Sequence, residues 1–528
     1  MGGASGSAFP GSLSAFLERR ATWVAAIIAL VAALATITSD PIGVFNDDGI
    51  YLLTAKALAT GQGYVYPHLP GTPPAIHYPP IWPLVLAAAW KVFPAFPASV
   101  GWFKLINPVV IAVAAALAVR TGRGLLGLPW WVALGGVVAA TVTVPVLLLT
   151  NVLLSEPLYL VVLLPTLWAA ERLVRDGGVR WALVTAALVA LLVLTRTLGI
   201  AVPVASVLLL ARARRWRDLA TFASATALLL LPWQLFVWHA AADLPDELIG
   251  SYGPYLEWVV SGYREGGVSF LKAVLAKNVV AGWGMLGILT SPFAASGARY
   301  LTAGLAILTF VGGLLVLARR SRAPVTALAL VGYIAVVLLW PFQVDRFLWG
   351  LWPLIVLVAL AGVTTTVSWL KTRGRGRAAA ATIGVACLLA VGHETYAARG
   401  LAKGWEGGAS RGMSVVGVRI SLAINSDRSL DGQLIGAELA PLVALYTGLD
   451  VLPLEMLRPR DHVEEKTAAE FTAELEKIDR RFHPAAYVVM NGSRYHEALR
   501  AAHMEDGRTL VDESPPGRPV RTLRVRTP

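Results

Sequence analysis

The stretch "FNDDGIYLLTAKALATGQGYVYPHLPGTPPAIHYPPIWPLVLAAAW", residues 45–90, follows directly on the first long apolar segment of the chain. It opens on two adjacent carboxylates, passes two histidines and several tyrosines, and reaches a Tyr-Pro-Pro before turning apolar again. Whether its last part crosses a membrane decides the topology of everything after it. The uninterrupted apolar run, 81–90, is ten residues long, and Lys91, Pro94 and Pro97 follow at once. A crossing helix needs about 17–25 apolar residues, so a run this short reads as interfacial or re-entrant.

That a membrane is present at all follows from composition. Of 528 residues, 56% are hydrophobic and 15% charged, with mean hydropathy +0.63. Soluble domains carry roughly 25% charged residues. The 18 tryptophans suit an integral membrane protein, because indole rings favour the membrane–water interface. Cys387 is the sole cysteine and lies in an apolar run, which excludes a disulfide framework or a cysteine metal site. The net charge of +12 does not indicate nucleic acid, since most basic residues outside the tail form short clusters between apolar segments. The amino-terminal apolar run lacks a small-residue cleavage site and reads as a retained first helix.

Eleven runs of spanning length or near it occur, at 21–39, 101–119, 129–149, 157–172, 180–195, 197–212, 218–238, 298–318, 323–341, 347–370 and 378–394. With 81–96 left uncrossed, the basic clusters at Arg19/Arg20, Arg120/Arg123, Arg172/Arg175/Arg180, Arg212/Arg214/Arg215/Arg217, Arg319/Arg320/Arg322 and Lys371/Arg373/Arg375/Arg377 share one side. A crossing there splits the first cluster from the rest. The positive-inside rule prefers the uncrossed arrangement, with a cytoplasmic amino terminus and an external carboxyl terminus. The expected fold is therefore an all-α polytopic domain over 1–395 with external loops at 40–100 and 239–297. The second loop is Gly- and aromatic-rich and carries an amphipathic stretch suited to lying along the surface. Beyond it, 396–528 turns to mixed charge and reads as a small external α/β domain, with strand-like "AYVVM" and "VRTLRVR" and helix-like "TAAEFTAELEKIDRRF".

On this topology Asp47, Asp48, Glu156, Arg196, Asp345 and Arg346 all fall on the external side. Ionisable groups near membrane depth are costly, and they serve a purpose or find a partner. Asp47 and Asp48 are neighbours and point to different faces, so at most one faces a shared cavity while the other caps the helix that "DGIYLLTAKALA" implies. Glu156 precedes Pro157 at a helix start, where a carboxylate is also stabilised by the helix dipole. Arg196 interrupts an apolar stretch. Arg346 begins a helix, and pairing with Asp345 is its plain structural reading. Arginines with carboxylates around one outer cavity suit a phosphorylated, membrane-held substrate, because guanidinium matches phosphate oxygens and a carboxylate can accept an acceptor's proton. His68 and His77 flank "LPGTPPAI", but no third residue at ligand spacing makes them a metal site. No Gly-rich phosphate loop follows a strand and no HExxH occurs.

At these residues the chain resembles the GT-C superfamily of polytopic glycosyltransferases, in particular bacterial relatives of protein O-mannosyltransferases and of lipid A aminoarabinose transferase. The resemblance covers roughly 20–395. It rests on "NDDGIYLLTAKALATGQGY", "LPGTPPAIHYPPIWPLVLAAAW", "SEPLYLVVLLPTLWAAERL", "LTRTLGI" and "DRFLWGLWPLIVL", in that order. It implies transfer of a sugar from a polyprenyl-phosphate donor on the external face of an inner, cell membrane. The acceptor is a protein, glycan or lipid. It also implies that Asp47 is the base, with Asp48 where relatives often have Glu, and that Glu156 is the second acidic position. Many relatives carry a phosphate-binding lysine before the Pro-Pro; here His77 and Tyr78 stand there. Phosphate contact then falls to His77, Lys104, Arg196 or Arg346, and Tyr51, Tyr78 and His68 are expected to contact substrate. No cofactor is required; a divalent cation is compatible but not expected. A transporter or flippase of lipid-linked sugars is the alternative, but it calls for ionisable residues at helix centres, and here they sit at helix ends.

Overall fold

The computed structural model describes residues 11–319, 322–404, 408–504, 507–515 and 517–526; Arg320 lies outside them. Each of the eleven expected segments coincides with a helix. That at 129–149 is broken into Trp130–Thr141 and Val144–Leu148, and that at 197–212 opens with a 3-10 turn. Among the described residues, seven helices are long and apolar enough to cross a membrane by length and composition, and five apolar helices are shorter. Prolines sit in the first turn of Glu156–Asp176, Pro324–Leu339 and Trp352–Thr372, where their missing N–H costs nothing. Among the basic clusters, Glu171 accepts from Thr326 N at 2.7 Å and Thr326 Oγ1 at 2.9 Å, capping the neighbouring helix start.

The ends of the helices sort onto two sides. Arg123, at the end of Ile106–Gly124, reaches Glu18 near the start of Gly11–Ala35, so these two helices run antiparallel with their basic ends together. At their other ends Lys104 Nζ donates to Thr38 O at 2.8 Å and Asp40 O at 2.5 Å. The chain between them thus leaves and returns at one level. It holds the helices Asp47–Ala59 and Ile81–Val92, of 13 and 12 residues and packed on each other, and the five-residue helix Val100–Lys104, all too short to cross. The segment 81–96 stays on the side opposite the arginine clusters.

The helix Tyr255–Thr290 falls inside the expected 239–297 loop and is long and apolar enough to span, yet both of its ends stay on that same side. Asn278 donates to the carbonyls of Leu338 and Trp340, at the end of one helix, while Gly287 packs on Arg299 at the start of another. Gly267, with φ 57°, interrupts it. The break at Gly267 divides it into two shorter helices, and the contacts of Asn278 and Gly287 hold the second of them against the ends of those neighbours.

The carboxyl-terminal region carries a five-stranded sheet in the order β2-β1-β3-β5-β4, with β1 Ile435–Ala437, β2 Val451–Pro453, β3 Ala486–Met490, β4 Thr509–Asp512 and β5 Val520–Arg526. β1 pairs parallel with β2 and β3, and β5 pairs antiparallel with β3 and β4. The helix Ala468–Phe482 begins with a Thr467–Glu470 capping box and buries Phe471, Leu475 and Ile478, one face of a helix. The preceding membrane helix continues past 395 to Lys403. The sheet region docks on the site side: Val451 N donates to His68 O at 2.9 Å, and Ile42 N to Tyr446 Oη at 3.1 Å. Gly49 explains the third letter of the "DDG" motif. A Cβ there would meet Pro441 Cβ at 2.8 Å, so only glycine lets the helix Ala440–Thr447 seat against Asp47–Ala59.

Candidate active site

Asp47 and Asp48 open one helix and part ways. The Asp48 carboxylate turns back and accepts from Gly43 N at 2.7 Å and Phe45 N at 2.9 Å, pinning the loop that leads in. It is fully buried, and burial pushes its pKa up to about 6 against those two N–H donors. Asp47 faces a cleft. Burial alone would raise its pKa, but the Arg346 charge and a hydrogen bond from Tyr78 outweigh it, holding the carboxyl below the usual range. One residue of separation assigns one acid to structure and the other to the cavity.

Arg346 lies in the short helix Val344–Trp349 and spends its two edges on different acids. Its Nη2 is 2.6 Å from Asp47 Oδ2 and its Nε 3.3 Å from Glu156 Oε1. Arg196, in extended backbone after Val179–Thr195, places Nη1 3.0 Å from the same Glu156 oxygen and 3.0 Å from Ser155 Oγ. Ser155 Oγ is in turn 3.4 Å from Tyr51 Oη. The four charged groups sum to zero. Glu156 is only 2% exposed, and its Oε2 has no hydrogen-bond partner among the described residues. Gly350 permits this geometry, since a Cβ there would meet Glu156 Cβ at 2.8 Å.

The cleft holds about 840 Å³ counting its open mouth, and Asp47, Tyr51, His77, Tyr78, Arg196 and Arg346 line it. His77 Nδ1 is 2.6 Å from Gly253 O, its ring packs on Tyr255, and burial draws its pKa down, so it presents a neutral imidazole. Two expected contacts lie elsewhere. Lys104 is committed to the carbonyls of Thr38 and Asp40, and His68 Nε2 is 3.1 Å from Tyr252 Oη; neither lines the cleft. Asp345 does not neutralise Arg346. It faces a second cavity, beside Lys277 and Tyr396, because adjacent residues on a helix point apart.

The residues missed from sequence form an aromatic wall: Tyr255 and Trp258 from the helix Tyr255–Thr290, with Trp340, Phe342 and Phe347. Leu457 joins them from the carboxyl-terminal region. The aromatic richness of 251–270 was the available signal, but no spacing rule ties it to residues about 90 positions away. Among the described residues, no group of three or more His, Cys, Asp or Glu is placed to hold a metal ion.

No family model matches the sequence, and no curated protein matches it. Solved structures do. A crystal structure of ArnT from Cupriavidus metallidurans bound to undecaprenyl phosphate aligns over 98% of this chain and 98% of that chain, at 14% identity and TM-score 0.53. The same protein in the apo state aligns over 97% and 98%, at 15% identity and TM-score 0.42. The first likeness gives the chain a GT-C-type fold, helices and carboxyl-terminal sheet together.

Proposed function

We propose, from a GT-C-type fold that carries one charge-balanced cleft, that this integral multi-pass membrane protein is a glycosyltransferase. It moves a sugar from a polyprenyl-phosphate donor to an acceptor hydroxyl on the external face, with inversion. The observation that carries the reading is Arg346 held between Asp47 and Glu156 at the edge of an aromatic-walled cleft. The undecaprenyl phosphate bound to the ArnT structure supports the donor class. The grouping of basic clusters on the opposite side supports an external site.

The donor's lipid tail stays in the bilayer and brings its phosphate to the interface. The phosphate competes with Asp47 for Arg346, and Arg196 stands beside it with Glu156 retained as its counter-charge. Freed from the ion pair, Asp47 accepts the proton of the acceptor hydroxyl. The acceptor oxygen bonds to the anomeric carbon as the bond from that carbon to the phosphate oxygen breaks. The lipid phosphate leaves with the electron pair, stabilised by guanidinium. Attack opposite the leaving group inverts the centre. Asp47→Asn should abolish sugar transfer in membranes with expression unchanged, and mass spectrometry of the purified protein should find a polyprenyl-phosphate sugar. Full activity in Asp47→Asn moves the base elsewhere. A variant that loses translocation of a lipid-linked sugar but no transfer favours the flippase.

A further inference from the structure

The carboxyl-terminal region supplies one side chain to the cleft, and the way it is held is unusual. Leu457 is fixed through its backbone on the membrane portion: its N donates to Ser251 Oγ at 3.2 Å, and its carbonyl accepts from Trp258 Nε1 at 2.7 Å. Gly250 lets this strand of chain pass, since a Cβ there would meet Leu457 O at 2.7 Å. Yet the Leu457 side chain, an apolar group at a domain junction, is left 41% exposed at the cleft mouth. The neighbouring carbonyl, Met456 O, accepts from Lys466 Nζ, whose side chain is 3% exposed. That ammonium sits 2.7 Å from Glu474, 3.3 Å from Asp461 and 3.7 Å from Glu455. A buried cation with three carboxylates fixes its place closely, and Arg458 beside Asp461 and Glu474, with Arg494 beside Glu455, completes the ion network around it. The segment 455–466 is therefore anchored at both ends of its approach to the cleft, while Leu457, which it offers to the lining, stays partly exposed.

We propose that Leu457 is a substrate-contact residue which the sugar of the bound donor covers, and that Lys466 is its positioning residue. Fixing the backbone in advance removes the ordering cost from the binding step, so the contact favours a substrate of matching shape. The lipid phosphate belongs at the arginines, which leaves the sugar between them and the carboxyl-terminal wall. An alkyl group against the apolar face of a sugar ring extends the aromatic wall, whose Trp258 bonds the Leu457 carbonyl. This rests on the glycosyltransferase reading.

The test uses the chain's single cysteine. With Cys387→Ala as background, Leu457→Cys is labelled by a charged, membrane-impermeant thiosulfonate in the full-length protein in nanodiscs. The probes are undecaprenyl phosphoglucose and undecaprenyl phosphate, and binding of each is measured separately. We expect bound phosphoglucose to slow labelling about tenfold, bound phosphate to slow it less than about twofold, and a Val511→Cys control to be unaffected. Equal protection by the two probes, or none while both bind, overturns the sugar contact. Binding of neither removes the glycosyltransferase reading beneath it. Adding Lys466→Met should erase the protection while undecaprenyl phosphate binding stays within about twofold, and Lys466→Arg should restore it. Protection unchanged in Lys466→Met overturns the positioning role, as does loss of lipid binding with it.

Discussion

Removing Arg346 tests the ion cluster as a unit. The guanidinium serves two acids, and its side chain is 11% exposed while those of Asp47 and Glu156 are 21% and 3% exposed. Glu156 keeps Arg196 at 3.0 Å after the change, so Asp47 is the group stranded. Taking one partner from a buried pair costs about 3–5 kcal/mol, and the partial exposure of Asp47 places Arg346→Met near the lower bound, about 3 kcal/mol. Asp47→Asn removes the stranded charge, so Asp47→Asn/Arg346→Met should recover about 2 kcal/mol, a coupling that only contacting residues show. Arg346→Lys should recover less than the double variant, because one ammonium cannot occupy both edges of the fork. The assay is equilibrium unfolding by SDS in mixed micelles for the four corners of the cycle. Additive costs for Asp47→Asn and Arg346→Met refute the pairing, whatever happens to activity.

Other outcomes follow from the same geometry. Burial pushes the Asp48 carboxyl up to about 6 in the folded state, above the ordinary carboxylate value of 3.8, so the folded state binds its proton first. Its contribution to stability is then greatest below pH 4 and is lost as pH rises through 6, by about 3 kcal/mol at most; the wild type should gain stability relative to Asp48→Asn on acidification between those limits, and a flat difference refutes the burial argument. Gly350→Val should press on Glu156 and cut transfer at least tenfold with expression retained; normal transfer shows that the close approach is not needed. Reporter fusions after Trp90 and after Arg123 should report opposite sides, external then cytoplasmic, whereas a cytoplasmic signal at Trp90 means that 81–96 crosses.

The sequence carried much of this, and the failures have physical causes. Apolar runs located the helices because a bilayer demands about 20 apolar residues with little exception. The ten-residue limit of 81–90 predicts a segment that does not cross; it folds as the 12-residue helix Ile81–Val92, and residue 104 returns to the level of residue 38. "AYVVM" and "VRTLRVR" are strands, while the three-residue β1 and β2 were too short to announce themselves. Asp47, Glu156, Arg196 and Arg346 were picked out by the cost of charge near a membrane, and they meet in one cluster. Lys104 entered only through the family resemblance, in place of the relatives' phosphate-binding lysine, but at the end of Val100–Lys104 it serves two loop carbonyls, and sequence does not separate the roles. The length of Tyr255–Thr290 misleads in the other direction. Its composition permits a span, while the helix ends that it caps hold it to one side of the helices.

Binding of undecaprenyl phosphate to purified wild type, Asp47→Asn and Asp47→Asn/Arg346→Met in nanodiscs bears on the central claim most directly. Asp47→Asn should bind at least as tightly as wild type, because a carboxylate no longer competes for the guanidinium, and adding Arg346→Met should weaken binding at least tenfold. Equal affinity in all three would place the lipid phosphate away from this cleft and contradict the account.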